Sequence, residues 1–229
     1  MSHEGALAFE LPGRGRVLFT ERADGNLSSV SGDGAQDGQI ARERLRARIG
    51  VERLARGYQV HGTVVRRVLA THSGDAAEPQ ADGQATALVG VATMVLAADC
   101  LPVALGCEGA VAMVHAGWRG LAAGVLEQGV LALRELARAD DYGAIVAVVG
   151  PGAGACCYEV GAEVHRAFDG THARGRNIDL RAIARERLLA AGVERVHDVD
   201  MCTICDPRFF SHRRQGARAG RQAGVAWLS

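Results

Sequence analysis

Apolar and polar positions along the chain change period several times, and each change marks an element. Residues 16–20 (RVLFT) alternate weakly and predict a strand, 23–28 (ADGNLS) a turn, and 39–49 a helix with Ile40, Leu45 and Ile49 on one side. The β-branched stretch 58–70 (YQVHGTVVRRVLA) predicts one or two strands around Gly62. Small and polar residues over 71–84 predict a surface loop, the least ordered part of the chain. Two apolar runs follow, 88–98 and 101–106, interrupted by Asp99, Cys100 and Pro102. A strand is predicted over 110–115, then a helix over 120–137 with Leu121, Val125, Leu126, Val130, Leu133 and Leu136 at three-to-four spacing. A buried strand over 144–149 leads into GPGAGACC and a helical stretch over 160–168. Another helix starts at Asp179 as N-cap and stops before Gly192, with short strands near 195–199 and at the very end. No repeat and no low-complexity linker breaks this order, so 1–229 is read as one domain with strands and helices interspersed.

Composition narrows the function classes. With 229 residues, 48% of them hydrophobic, the chain has enough apolar surface for a sizeable core. Lys+Arg and Asp+Glu both total 26, so the basic excess of a phosphate-tracking nucleic-acid binder is missing and small molecules are the expected partners. The sequence contains no lysine, which excludes Schiff-base chemistry and a P-loop in its usual form. The N-terminus lacks a signal-peptide core and no segment reaches about 18 uninterrupted apolar residues, so a cytoplasmic protein without a membrane partner is expected. In that compartment six cysteines point to metal binding, nucleophilic chemistry or simple burial before disulfides.

Three apolar runs deliver metal-competent side chains to their ends: YQVHG gives His61, LAADCLP gives Asp99 and Cys100, and AMVHAGWRG gives His115. One thiolate and two imidazoles form a ligand set that zinc accepts, and three protein ligands leave a fourth position for water or substrate. Taken singly, each histidine also reads as a buried imidazole bonded to a carbonyl, and Cys100 as inert core. Their joint occurrence beside glycine and proline turns favours a site. Arg119 either pairs with a carboxylate while Trp118 covers the helix start, or holds an anion such as phosphate at that helix N-terminus. GPGAG at 150–154 reads as a tight turn. Cys156-Cys157 with Cys202-x-x-Cys205 invites a zinc-ribbon reading, but a second spaced pair is missing. From the arginine-rich run after Phe209 and Phe210, Arg213 is the one expected to turn inward. His72, His165, His172 and His197 are read as surface.

These segments, in this order, resemble the YfiH or laccase-domain family. The likeness runs from GNLS near residue 25 to Arg221, and HAGWRG together with ADC-x-P is its most specific part. The resemblance implies an α+β fold, with mixed β-sheets packed face to face and helices on the outside, a layered αββα sandwich. It implies a zinc-dependent purine nucleoside phosphorylase with adenosine deaminase side activity, zinc being held by His61, Cys100 and His115. Two positions depart from the family pattern: Ala41, before Arg42, and Ala184 stand where asparagines are frequent.

Phosphorolysis requires phosphate held against the anomeric carbon and relief of charge growing on the purine. Arg119, Arg213 and Arg42 are the expected phosphate or substrate contacts, and zinc suits the second task as a Lewis acid. Asp99 is expected to orient an imidazole and Asp82, on a loop, to carry a proton. Two other classes stay open: a cysteine hydrolase using Cys100 with His115 as its base, and a zinc-stabilised scaffold without catalysis. Multicopper oxidation fits less well, because eight histidines, most in unrelated segments, are few for such a cluster.

Overall fold

The computed structural model describes residues 7–71, 78–137 and 143–229. In chain order the strands are β1 (Leu7–Leu11), β2 (Gly15–Phe19), β3 (Arg53–Ala55), β4 (Val65–Val68), β5 (Gly83–Thr86), β6 (Val91–Ala97), β7 (Leu101–Cys107), β8 (Ala110–Ala116), β9 (Val146–Val149), β10 (Ala173–Arg174), β11 (Asn177–Ile178), β12 (Arg195–Asp198) and β13 (Gln222–Leu228). The α-helices are α1 (Gly38–Ile49), α2 (Trp118–Ala123), α3 (Val125–Leu136), α4 (Ala162–Ala167), α5 (Leu180–Ala190) and α6 (His212–Gln215). Two mixed sheets carry the fold, one of order β1-β2-β13-β6-β3 and one of order β12-β9-β7-β8-β5-β4; β10 and β11 form a separate hairpin.

Period-two alternation assigns each face. On β7, Leu101, Val103, Leu105 and Cys107 join the core beneath α3 and α5, while Ala104 faces the other sheet. On β8, Ala110, Ala112, Val114 and Ala116 point to the helices, and Val111 and Met113 point between the sheets. The five-stranded sheet repeats the pattern: Val95 and Ala226 look inward, whereas Met94 and Val225 pack with Ala41 and Leu45 of α1. The layers are therefore α1, five strands, six strands, then α3 with α5. This is the layered αββα sandwich implied by the resemblance. Withdrawing side chains such as Leu126 and Leu133 of α3 from water contributes about 1.5–3 kcal/mol each.

Several expectations shift in detail. The predicted helix over 120–137 is two helices, because Gly124 at φ +98° takes a left-handed conformation that ends α2 and starts α3. In α1 the buried positions are Gly38, Ala41 and Leu45, and Ile40 turns outward at 51% exposure. Strand β1 is unforeseen; it pairs with β2 through the PGRG turn, where the Gly15 amide donates to the Pro12 carbonyl at 3.1 Å. Within 58–70 only Val65–Val68 is strand. Asp179 caps α5 as expected, accepting from the Ala182 amide at 3.1 Å. His197 is exposed against Phe9 and His172 pairs with Glu186, while His72 and part of the 71–84 loop lie outside the described residues.

The sheets approach closely enough to forbid added volume. A Cβ on Gly224 would meet Pro102 Cβ at 2.8 Å and Met113 Sδ at 2.9 Å. Gly224→Ala is expected to destabilise the protein by about 1–3 kcal/mol in urea unfolding. An unchanged transition midpoint would contradict this packing.

Candidate metal centre

Alternation along β8 carries His115 to the same side as Val111 and Met113, at the rim of the gap between the sheets, where it is 3% exposed. Its Nδ1 lies 2.9 Å from Oδ1 of Asp82, a carboxylate with no exposed surface. The same carboxylate accepts three successive backbone amides, from Val60 at 3.1 Å, His61 at 2.9 Å and Gly62 at 2.7 Å. Successive amides converging on one anion turn the chain sharply. They account for the loop at this point, and for His61 at φ +61°. Asp82 thus holds one imidazole by its ring and the other by its backbone.

Cys100 enters from the turn between β6 and β7, its Sγ 3.8 Å from His61 Nε2. The two imidazoles stand edge to face with centroids 5.0 Å apart. One ligand atom from each of His61, Cys100 and His115 lies within 4.8 Å of the others, so these far-apart residues form a group that can hold a metal ion. Tetrahedral zinc, with bonds of about 2.0–2.3 Å, sets its donors some 3.3–3.8 Å apart. The donor chemistry and spacing fit it. Gly117 keeps the space open: a Cβ there would meet His61 Cδ2 at 2.7 Å and Cys100 Sγ at 3.0 Å.

Without a metal, the charges in the cluster favour a Cys100 thiolate facing a protonated His115, so a bound ion would have to displace that proton. Burial pushes the Cys100 thiol up, but His115 and then His61 outweigh it and bring it down to about 6. Burial likewise opposes charge on His115, yet Cys100 and Asp82 raise it to about 9. Asp82 itself is held below the usual carboxylate range, because the bonds from His115, Gly62 and Val60 overcome its desolvation.

It is Asp82, and not the expected Asp99, that bonds an imidazole. Asp99, at φ +94°, accepts the Thr203 hydroxyl at 2.7 Å and the Arg213 amide at 2.7 Å, so it pins the C-terminal segment and Asp82 orients the imidazole. Asp82 is completely buried and accepts four hydrogen bonds, three from the 60–62 amides and one from His115. The Arg213 guanidinium covers the Tyr158 ring and donates to the Glu159 carbonyl at 2.6 Å. Arg119 is exposed over Trp118, and among the described residues no carboxylate pairs with it. Arg42 donates to the Leu27 carbonyl at 2.6 Å and to Ser29 Oγ at 2.8 Å, which makes it a brace for that loop. Ala41 and Ala184 are both buried in apolar clusters.

Sequence reasoning missed Arg221 and Tyr158. The charges of Cys100 and Asp99 act on Arg221, offsetting part of the burial that lowers its pKa. Burial raises the Tyr158 phenol, with the Cys100 charge adding to it. Nothing in the spacing of the arginine-rich run distinguishes Arg221 from its neighbours.

Two outcomes check this geometry. Asp82→Asn is expected to lower zinc affinity about 10–100-fold in a chelator competition, with Asp99→Asn much less affected. In metal-free protein, alkylation of Cys100, followed by peptide mapping, should stay fast down to about pH 7 and fall with a midpoint near 6. An ordinary midpoint near ~8.5 would show that the imidazoles do not act on the thiol.

Among known proteins, the chain is 39% identical to a purine nucleoside phosphorylase of Xylella fastidiosa (strain Temecula1) over 236 residues, covering 95% of this chain and 88% of the relative. It is 36% identical to a purine nucleoside phosphorylase of Pseudomonas aeruginosa, covering 95% of each. The crystal structure of a Neisseria meningitidis protein superposes with a TM-score of 0.85 at 31% identity, over 99% of this chain and 100% of that one. The chain belongs to the family described as multi-copper polyphenol oxidoreductase laccase, whose model matches residues 15–229.

Proposed function

We propose that this chain is a single-domain, cytoplasmic, zinc-dependent purine nucleoside phosphorylase, acting on adenosine, inosine and methylthioadenosine with adenosine deaminase side activity. The observation that carries the reading is the convergence of His61, Cys100 and His115, in a chain whose close relatives are named purine nucleoside phosphorylases. No helix among the described residues is long and apolar enough to cross a membrane, which is compatible with a soluble enzyme meeting a free nucleoside and phosphate.

When bound, zinc would supply Lewis acidity beside the purine and lower the pKa of a coordinated water. The protein's own groups do the rest. Asp82 keeps the Nδ1 proton of His115 in place and leaves Nε2 directed toward Cys100. Arg213 and Arg221, close to the Cys100–Asp99 segment, and exposed Arg119 offer guanidinium forks for phosphate. Tyr158, buried beneath Arg213, walls the site on that side. Copper oxidation has less support: among the described residues His61 and His115 are the only histidines in a group that could hold a metal ion, while His172 pairs with Glu186 and His197 lies tilted against Phe9.

A second reading has one specific support. Cys100, His115 and Asp82 stand in the order of a nucleophile, its base and an orienting acid, and the thiol is lowered to about 6. A zinc-bound thiolate is a poor nucleophile, so metal content separates the two.

The deciding assay incubates zinc-loaded protein with adenosine, inosine and methylthioadenosine, with and without phosphate. Ribose 1-phosphate from adenosine or inosine, formed only with phosphate and lost in Cys100→Ser and His115→Ala, is expected. Inosine formed from adenosine without phosphate would report the deaminase activity. Stoichiometric zinc with no turnover would leave a metal-stabilised scaffold, and amide hydrolysis by zinc-free protein would favour the hydrolase.

A further inference from the structure

The four remaining exposed or half-exposed cysteines gather on one side of the site. Cys156 and Cys157 lie in the tight turn after GPGAG, where the amides of Cys157 and Tyr158 both donate to the Gly154 carbonyl at 3.0 Å. Cys202 and Cys205 occupy a second turn, closed by the Asp206 amide donating to the Cys202 carbonyl at 2.9 Å. The segments are joined by a parallel bridge between Gly152 and Cys202, with the Thr203 amide donating to the Gly152 carbonyl at 3.0 Å. Buried Arg181 ties them again, bonding the carbonyls of Gly152 and Met201.

This framework brings all four Sγ atoms within 4.8 Å of one another, Cys205 lying 2.7 Å from Cys157 and 3.5 Å from Cys156. Gly154 leaves room for them: a Cβ there would meet Cys202 Cβ at 3.0 Å and Cys156 Sγ at 3.2 Å. Its amide also donates to Cys202 Sγ at 3.2 Å, a bond that favours a thiolate. The second spaced pair that a zinc ribbon lacks in this sequence is replaced by adjacent cysteines that the turn directs to one point.

We propose that Cys156, Cys157, Cys202 and Cys205 bind a second zinc ion as a closed tetrathiolate site, distinct from the cluster of His61, Cys100 and His115. Four thiolates around zinc, with bonds of about 2.3 Å, set the sulfurs some 3.8 Å apart; here all four lie within 4.8 Å, Cys156 and Cys205 are near that spacing at 3.5 Å, and Cys157 and Cys205 would move apart from 2.7 Å to receive the ion. Soft sulfur donors select zinc over magnesium or calcium. With every coordination position filled by protein, the ion is structural.

Its task follows from what the second turn carries. Thr203, beside Cys202, donates to Asp99, and Arg213 donates to the same carboxylate and lies over Tyr158, beside Cys157. The ion would staple the GPGAGACCY turn to the segment that holds the wall beside Cys100. This inference stands whether or not the phosphorylase assignment does.

The test is elemental analysis of full-length protein purified under reducing conditions. Wild type should hold two zinc ions per chain, and His61→Ala/His115→Ala should keep one. Cys202→Ser/Cys205→Ser should fall to one. If that variant fails to fold, cobalt added to the metal-free His61→Ala/His115→Ala protein supplies an independent readout, the intense absorption of a tetrahedral all-sulfur site, together with protection of these four cysteines from alkylation. A folded triad variant that binds neither zinc nor cobalt, iron in place of zinc, or a Cys157–Cys205 disulfide persisting in reducing buffer would each overturn the proposal.

Discussion

One buried carboxylate organises the site. Asp82 has no contact with solvent, and such a group is stable as an anion only when its lone pairs are filled. Three amides of the 60–62 turn and the Nδ1 of His115 fill them. Each of those bonds also places a donor: the amides fold the loop so that the exposed His61 ring lies beside Cys100 and His115, and the ring bond fixes which nitrogen of His115 remains available. Removing the carboxylate would free both imidazoles at once, which is why the geometry depends more on Asp82 than on any ligand.

The sandwich makes that arrangement possible. Strand β8 carries His115 to a rim between two sheets, β5 begins immediately after Asp82, and the β6–β7 turn sets Cys100 opposite them. Small residues at the interface, among them Ala104, Gly106 and Gly224, let the sheets close, and Gly117 lets the loop of His61 approach the start of α2. Packing and chemistry share a cause here. The glycines that permit close approach also leave room where the donors meet.

Much of this is legible in the sequence, unevenly. Strands β7 and β8 show as apolar runs because both faces are buried, and His115 and Cys100 stand out as polar interruptions at their ends. Helix α5 is announced by its Asp179 cap. Strand β1 escapes notice because its alternation of Leu7, Phe9 and Leu11 with Ala8 and Glu10 lasts only five residues before a proline-glycine turn, and the α2–α3 break escapes because Gly124 sits within an unbroken helical period. The tract around His61 reads as strand from its β-branched residues, but a carboxylate 21 residues away bends it into a loop. Asp82 itself reads as a polar loop residue; only tertiary burial reveals its role. Arg221, Tyr158 and the meeting of Cys156-Cys157 with Cys202 and Cys205 depend wholly on long-range placement, which local periodicity does not encode.

The most direct measurement is anomalous diffraction at the zinc edge from crystals of zinc-replete protein. The account predicts an ion at about 2.0–2.3 Å from His61 Nε2, Cys100 Sγ and His115 Nε2, with Asp82 still bonded to Nδ1 of His115. Zinc-replete crystals without an ion among those three atoms, or with His115 turned away from Asp82, would contradict it.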